Sequence, residues 1–194
     1  NEVALEQAKI AYLTPGNHDL YAAGSNMQAY DQPPDSNGTN GYYSFDCGDL
    51  HVTMANFEDT PYTVGSAQYN WIQKDVQASL KPWKIFGTHA PAYTYSSGGH
   101  GNDAGFVTVT SNLLETNGVK VFLAGHNHFY QRNVIKGLHH ITCGAAGAPL
   151  YSVSTGSGTA VSVSDNCYLI ADVSPTNLHM VAYNNVGKVL DNFT

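Results

Sequence analysis

The chain alternates short apolar runs with glycine-containing polar stretches through its first two-thirds. A short apolar run bounded by turn residues is typical of a buried strand. Runs of this kind predict strands at Lys9–Leu13, Trp83–Phe86 and Val119–Ala124. The stretch from Gly24 to Gly41 is rich in Asn, Gly, Pro and Ser, and it predicts a loop after the first strand.

Apolar residues at helical spacing predict two helices. Ser66 is a suitable N-cap for the first, which continues through Leu80 and stops before Pro82. Its apolar positions are Tyr69, Ile72, Val76 and Leu80. The second helix is predicted over Val109–Asn117, with Gly118 as its stop.

Strand patterns occupy the rest of the chain. A hairpin is predicted from Tyr42–Phe45 and Leu50–Asn56, with Cys47-Gly48-Asp49 near its turn. After Gly125 only strands are expected, as a β meander. Their predicted bounds are Leu138–Cys143, Thr159–Val163, Tyr168–Val173, Leu178–Tyr183 and Val189–Phe193. Strands with helices between them and a strand-only end predict an α/β (α+β) domain with layered sheets flanked by helices.

Composition narrows the class of protein. The 194 residues suffice for a single domain, 1–194, with a substantial core. A net charge of −7 and eight scattered basic residues argue against a nucleic-acid surface. No apolar run approaches the roughly 20 residues that span a bilayer. Low charge and the sequons at Asn37 and Asn192 favour a glycoprotein that is secreted or lysosome- or vacuole-like.

The three cysteines leave several arrangements open. Cys143 and Cys167 lie near two strands expected to be neighbours and could pair. Cys47 would then be free, or bonded to another segment. Three reduced, buried cysteines are the alternative, because free cysteine is often a small core residue.

Three polar segments follow predicted strands or turns and carry the candidate chemistry. They contribute histidines and one asparagine, and imidazole suits Zn, Fe and Mn. The segments are Gly16-Asn17-His18-Asp19, Gly87-Thr88-His89 and Gly125-His126-Asn127-His128. Side chains at the carboxyl ends of strands meet where such sheets bind ligands, so a metal site is predicted there. His18 could face a substrate and protonate a leaving group.

Other polar residues have structural interpretations. His139 and His140 fall in one strand, so alternation turns one inward and the other outward. His51 and His179 fit strand patterns, and Asp46, Asp49, Glu58 and Asp59 are expected at turns and rims.

Together the three segments resemble the calcineurin-like metallophosphoesterase superfamily, in its purple acid phosphatase branch. The family motifs read GNH(D/E), a strand-end His followed by Pro, and GHxHxY(E/Q)R. They stand here, in order, as Gly16-Asn17-His18-Asp19, His89-Ala90-Pro91 and the eight residues from Gly125 to Arg132. The closing segment Val181–Phe193 also resembles the family's last strands.

The resemblance implies roles for individual residues. Asn17, His89 and His126 would bind a second, divalent metal, and His128 would bind a first metal, usually iron. His18 would be the catalytic histidine. His100, in the glycine-rich loop Ser96–Gly101, would face the substrate. The implied cofactors are two metal ions, Fe with Zn, Mn or Fe, and the implied substrate is a small phosphate ester. Tyr130 and Arg132 match the motif's tail without a chemical role.

The chain departs from the family pattern upstream, where two earlier motifs supply Asp ligands, one of which bridges the metals. Glu2 and Glu6 are the acids before Lys9, and neither stands in a matching context. We therefore expect a C-terminal part of the catalytic domain, lacking its N-terminal strands, whose carboxylates come from a companion N-terminal segment of the same precursor. The alternative is a non-catalytic binding or structural protein that holds one metal ion or none. A site shared across a dimer has no support in the sequence.

Overall fold

The computed structural model describes residues 12–19 and 41–194, and every structural statement below concerns that part of the chain. Its strands are β1 (Tyr43–Cys47), β2 (Leu50–Met54), β3 (Trp83–Gly87), β4 (Val121–Ala124), β5 (Tyr130–Ile135), β6 (Leu138–Cys143), β7 (Thr159–Val163), β8 (Tyr168–Ser174), β9 (Asn177–Tyr183) and β10 (Val189–Phe193). Its helices are α1 (Ala67–Ala78) and α2 (Ala104–Val109), and α2 continues through a π turn, Thr110–Leu114, and a 3₁₀ turn, Glu115–Asn117.

The first seven strands form one mixed sheet, in the order β1-β2-β3-β4-β6-β5-β7. The inner strands β2, β3, β4 and β6 run parallel to one another, whereas β1, β5 and β7 pair antiparallel to their neighbours. Because β3 and β4 are adjacent and parallel, the polar segments that follow them leave from the same edge of the sheet. The topology therefore brings distant histidines together.

Two apolar layers cover this sheet. On one face, α1 and the α2 segment pack through Ile72, Leu113 and Leu114 against Phe86 and Phe122. On the opposite face, β8, β9 and β10 form a three-stranded antiparallel sheet. Its inner side chains pack against the other face of the large sheet, as Met180, Leu178, Ile85, Val121 and Ile141 show. The result is a layered sandwich of two sheets with helices outside, which confirms the predicted fold class.

A buried ion pair joins the two sheets. Arg132 on β5 donates from Nε and Nη2 to the carboxylate of Asp191 on β10, at 2.6 and 3.1 Å. The Tyr130 hydroxyl donates to the same carboxylate at 2.8 Å. The guanidinium also lies 4.2 Å from the ring centroid of Phe193. Tyr130 and Arg132 thus hold the sheets together, in keeping with the absence of a chemical role for them.

Most predicted strands are confirmed, with three differences. The strand β5 was not predicted, because the motif residues that begin it look like a polar loop. The predicted terminal meander is wrong in extent: β6 and β7 join the large sheet, and the meander comprises β8 to β10. In the first predicted strand, Tyr12 and Leu13 have no regular strand geometry, and Lys9 to Ala11 lie outside the described residues. Outside them also lie most of the predicted loop, from Gly24 to Asn40 and including Asn37, and the acids Glu2 and Glu6.

The helices differ from prediction at their ends. Ser66 caps α1 as expected, accepting from the Tyr69 N–H at 3.2 Å. The helix ends at Ala78, so Leu80 is 96% exposed and does not belong to the buried face. The second helix begins at Ala104, five residues before the predicted start, because Asp103 caps it by accepting from Gly105 and Phe106. No helix in the described part is long and apolar enough to cross a bilayer.

Candidate metal and phosphate site

Two histidine segments meet at the carboxyl edge of the large sheet. His89 lies two residues past β3, and His126 lies two residues past β4. The Gly125 N–H donates to the His89 carbonyl at 2.8 Å, so the backbone itself joins the two segments. This bond continues the parallel pairing of β3 with β4 beyond the strand ends. The sheet register therefore sets the distance between His89 and His126.

The third segment forms a turn beside His89. The Asp19 carboxylate accepts from the Gly16 N–H at 2.7 Å, and the Asp19 N–H donates to the Gly16 carbonyl at 3.0 Å. A Cβ on Gly16 would lie 2.9 Å from two ring atoms of His89. Only glycine allows this turn to approach the imidazole so closely. Asp19 therefore orients the turn through its two bonds to Gly16.

The His126 backbone adopts a conformation that few non-glycine residues take. Its φ is +63°, in the left-handed region, which costs free energy and is common at functional sites. The turn is closed by the Asn127 N–H, which donates to the Gly125 carbonyl at 2.7 Å, and by the Phe129 N–H, which donates to the Asn127 carbonyl at 2.9 Å. The strained turn aims the His126 ring at His89 instead of along the strand.

Three donor atoms converge as metal ligands do. His89 Nε2 lies 2.9 Å from Asn17 Oδ1 and 3.1 Å from His126 Nδ1. Adjacent ligands of an octahedral ion are about 3.0 Å apart when metal–ligand distances are about 2.1 Å. The spacing of these donors therefore fits one divalent ion. Within residues 12–19 and 41–194, however, no three His, Cys, Asp or Glu side chains gather into a group that could hold a metal.

The electrostatics keep these imidazoles neutral. Burial, followed by the charges of His100, His89, His128 and His18, lowers the pKa of His126 to about 4. Burial likewise lowers the pKa of His89, and the nearby Asp19 only partly opposes it. A neutral imidazole with an available lone pair is the form that binds a metal ion.

Pro149 and Tyr151, from the segment between β6 and β7, orient the His128 side chain. Its Nδ1 lies 2.8 Å from the Pro149 carbonyl, which accepts a hydrogen bond from the Nδ1–H and leaves the lone pair on Nε2 available. The Tyr151 ring stacks on His128, with centroids 4.2 Å apart. The Tyr151 N–H donates to the His128 carbonyl at 3.1 Å. The segment between β6 and β7 therefore fixes both the tautomer and the direction of His128.

His100 is held over the site by a buried amide. Asn127 Oδ1 accepts from the His100 N–H at 2.8 Å, and Asn127 Nδ2 donates to the His100 carbonyl at 3.0 Å and to Thr94 Oγ1 at 3.1 Å. The His100 ring lies 4.0 Å from that of His126, centroid to centroid. Asn127 is fully buried, and a Cβ on Gly99 would lie 2.6 Å from its Oδ1. The glycine in this loop is what lets Asn127 reach His100.

These side chains line one small pocket of about 100 Å³. The lining includes the six residues that the sequence predicted for metal, catalysis or substrate. They are Asn17, His18, His89, His100, His126 and His128, and Gly144 and Tyr151 complete the lining. Sequence reasoning missed Tyr151 and the clamp formed by Asn127. Tyr151 stands in an unremarkable loop with no spacing signal, whereas the position of Asn127 between two candidate ligands could have identified it.

Residues interpreted as structural lie elsewhere. His139 contacts Phe193 on one face of the large sheet, and His140 contacts Tyr93 and Phe122 on the other, so their predicted alternation is confirmed. Burial, with His139 nearby, lowers the pKa of His140 to about 3. His51 is buried between Asp46 and Asp75 at the amino end of β2. His179 lies 2.8 Å from Asn192.

Comparison with known sequences agrees with the geometry. The family model for calcineurin-like phosphoesterases matches residues 1–130. Purple acid phosphatase 21 of Arabidopsis thaliana is 30% identical over 133 residues, which cover 62% of this chain and 30% of the relative. Purple acid phosphatase 23 of the same plant is 30% identical over 128 residues, covering 60% and 28%. The chain thus spans less than a third of the length of these relatives.

Solved structures share the fold. Purple acid phosphatase PPD1 from yellow lupin (Lupinus luteus) seeds matches with a TM-score of 0.72 at 19% identity, over 87% of this chain and 34% of that one. GAP50 of Plasmodium, described as the anchor in the inner membrane complex, matches with a TM-score of 0.65 at 16% identity, over 80% and 54%. The chain belongs to the calcineurin-like phosphoesterase family, in its purple acid phosphatase-like branch.

Proposed function

We propose that this chain is the histidine-bearing part of a metal-dependent phosphoric ester hydrolase. One observation carries the proposal: Asn17, His89 and His126 converge with metal-ligand spacing in the pocket that His18, His100 and His128 also line. Purple acid phosphatases among the relatives support the same chemistry. The proposed substrate is a small phosphate ester, the class that the similarity to purple acid phosphatases supports.

Each residue has a proposed role. Asn17, His89 and His126 hold one divalent cation, and His128 contributes Nε2 to a second, with Fe beside Zn, Mn or Fe as the pair. When bound, such cations stabilise phosphate oxygens as Lewis acids and lower the pKa of water. His18, exposed at the pocket, delivers a proton to the leaving oxygen. His100, held by Asn127, contacts the phosphate ester from the opposite loop.

The proposal also includes a source of carboxylates. Two cations a few ångströms apart repel strongly unless anionic ligands lie between them. Asp19 is the only carboxylate among the described residues whose charge acts on His89, and it is engaged with Gly16. We therefore assign the missing ligands to a companion N-terminal segment of the same precursor. Secretion fits the low charge and the sequons.

Metal analysis combined with a histidine substitution tests the function. His126→Ala removes one of three converging donors, so we expect at least about a 100-fold loss of divalent-ion affinity in this chain and, where the chain is assembled with its companion segment, an equal loss of aryl phosphate hydrolysis. His179→Ala is the matched control, because His179 lies on β9 beside Asn192 and does not line the pocket. Equal activity of both variants and the parent would contradict the proposal. Full hydrolysis by the 194-residue chain alone, verified by intact mass, would refute the companion segment.

A second candidate is a non-catalytic binding or structural protein that holds one ion or none. The described residues favour it in one respect, since they contain no acidic metal cluster. A relative named probable inactive purple acid phosphatase 9, of Arabidopsis thaliana, is 32% identical over 110 residues, covering 53% of this chain and 16% of that protein. About two bound metal ions per chain would exclude this candidate, and one or none would favour it.

A further inference from the structure

Two cysteines meet where the two sheets come together, beside the pocket but outside the proposed chemistry. Cys143 ends β6 in the large sheet, and Cys167 immediately precedes β8 in the small one. The two thiols lie close enough that each shifts the pKa of the other, and both lie in the apolar layer between the sheets, Cys167 in its buried core and Cys143 packed against it. All three cysteines of the chain are thiols in this structure. Cys47 lies at the end of β1, so Cys143 and Cys167 are the two cysteines that could form a disulfide with each other.

The backbone holds the two cysteines in this arrangement. The Cys167 N–H donates to the Ala145 carbonyl at 3.0 Å, two residues past Cys143. The Cys167 thiol lies 3.6 Å from the Phe129 carbonyl, and Cys143 pairs with Tyr130, the next residue. The Cys167 thiol and the Cys143 backbone are thus held at consecutive residues, Phe129 and Tyr130, at the start of β5. We expect that a bond between the two sulfur atoms can form without a change in strand pairing.

A reagent can reach this pair. A surface cleft of about 330 Å³ opens beside Cys167, between Ala145–Gly147 and Asn166–Tyr168. The interaction with Cys143 lowers the pKa of the Cys167 thiol, and the same interaction, together with burial, raises the pKa of the Cys143 thiol. The thiol nearer the cleft is therefore the better nucleophile, because the thiolate is the attacking form.

We propose that Cys143 and Cys167 form a redox pair that closes to a disulfide in the presence of a small-molecule disulfide. The Cys167 thiolate attacks one sulfur of the reagent RSSR and releases RS⁻, which takes up a proton. The Cys143 thiol then loses its proton, attacks Cys167 Sγ and releases the second RS⁻. In total, two cysteine thiols are oxidised and RSSR is reduced to two RSH.

The crosslink would join the two sheets next to the candidate site. Gly144, which follows Cys143, lines the pocket, and Pro149 in the same loop accepts from His128. Fixing Cys143 to Cys167 therefore shortens the free length of the loop that orients His128. It also removes conformational freedom from the unfolded chain, which is the main way a disulfide stabilises a fold.

Peptide mass mapping of the full chain tests the pair. After incubation with oxidised glutathione, we expect a Cys143–Cys167 crosslinked peptide, the loss of two hydrogens in intact mass, and a melting temperature raised by roughly 5 °C. Dithiothreitol should reverse all three changes. The Cys47→Ser variant is the matched control: it retains the crosslink, because Cys47 is exposed and far along the chain from both partners.

The Cys143→Ser and Cys167→Ser variants sharpen the test. In each variant the remaining cysteine of the pair should either form a mixed disulfide with glutathione or stay a thiol. Neither variant should show the rise in melting temperature. If the parent chain carries glutathione on Cys47 alone and no crosslinked peptide forms in the folded state, the two thiols are simply core residues and the proposal is wrong. Because the readouts are mass and melting temperature, the result is independent of hydrolysis.

Discussion

Histidines stand at both ends of the parallel strands, but their partners differ. At the carboxyl end, the His89 ring contacts the amide oxygen of Asn17 and the ring of His126. At the amino end, His51 lies 2.8 Å from Asp46 and 3.0 Å from Asp75. The first group lines a pocket of about 100 Å³, whereas His51 is buried beneath a wider surface cleft of about 410 Å³ that Asp46 and Asp75 also line.

The partners decide the protonation of the imidazole. Burial lowers the pKa of His51, but hydrogen bonds and the charges of Asp75 and Asp46 outweigh burial, so the pKa ends above its ordinary value. At the other end burial dominates: the Asp19 carboxylate raises the pKa of His89 only in part, and the pKa of His126 falls to about 4. His51 therefore lies between two carboxylates that favour its charged form, whereas burial favours the neutral form of His89 and His126.

Of the changes that alter the difference between the two ends, removing a carboxylate partner of His51 at the amino end should have the largest effect. Asp75→Asn leaves the buried His51 without its better-shielded partner and disturbs the bonds that Ser44 and Thr53 donate to Asp75. We expect a loss of about 3 kcal/mol in the free energy of unfolding, measured by urea denaturation. Asp46→Asn is the control, since Asp46 is 52% exposed, and it should cost about 1 kcal/mol or less. Equal costs would show that burial does not set the strength of the pair.

Loosening an amide at the carboxyl end should have the next largest effect. Asn127→Leu keeps the volume but removes three hydrogen bonds that hold Thr94 and His100. We expect a loss of about 2 kcal/mol in stability, faster hydrogen exchange in the Thr94–His100 loop, and weaker binding of a phosphate ester. Asn127→Asp retains the acceptor for the His100 N–H and should lie between Leu and the parent. A Leu variant with unchanged loop exchange would argue against the clamp.

Adding a carboxylate to the carboxyl end tests the contrast in the opposite direction. Asn17→Asp places a charge next to His89 Nε2, and affinity for a hard cation rises with the charge of its ligands. We expect Mn²⁺ to bind about tenfold more tightly by titration calorimetry. Asn70→Asp adds the same charge at an exposed position on α1 and should leave the affinity unchanged. Equal gains in both variants would mean that the effect is general electrostatics.

The pH dependence of stability should show the smallest effect. The raised pKa of His51 contributes stability that is complete below its ordinary value of 6.5 and is lost as pH rises through the folded pKa. Burial raises the pKa of Asp75, but hydrogen bonds from His51, Ser44 and Thr53 outweigh burial, so the pKa is lowered. The contribution of Asp75 to stability is therefore present above its ordinary pKa of 3.8 and is lost as pH falls through the folded pKa. Stability from this pair is thus greatest between pH 3.8 and 6.5. Urea midpoints of the parent and His51→Gln across pH should converge above that window, and parallel curves would contradict the assignment.

The sequence determined the local elements and the identity of the pocket residues. Apolar periodicity predicted β3, β4 and the core of α1, because burial of one face imposes its spacing on the chain. The glycine–histidine segments marked the site, since tight turns and imidazole ligands have recognisable residue requirements. Strand β5 was missed because its residues, from Tyr130 to Ile135, mix polar motif positions with apolar ones.

Only the tertiary structure decided which side chains meet. Parallel pairing of β3 with β4 sets His89 against His126, and the long return from β6 brings Tyr151 onto His128 and Cys167 onto Cys143. The same chemistry, a buried histidine, became an ion pair at His51 and a neutral donor at His126. That outcome depends on which groups distant parts of the chain place within hydrogen-bonding distance, and local sequence does not encode those separations.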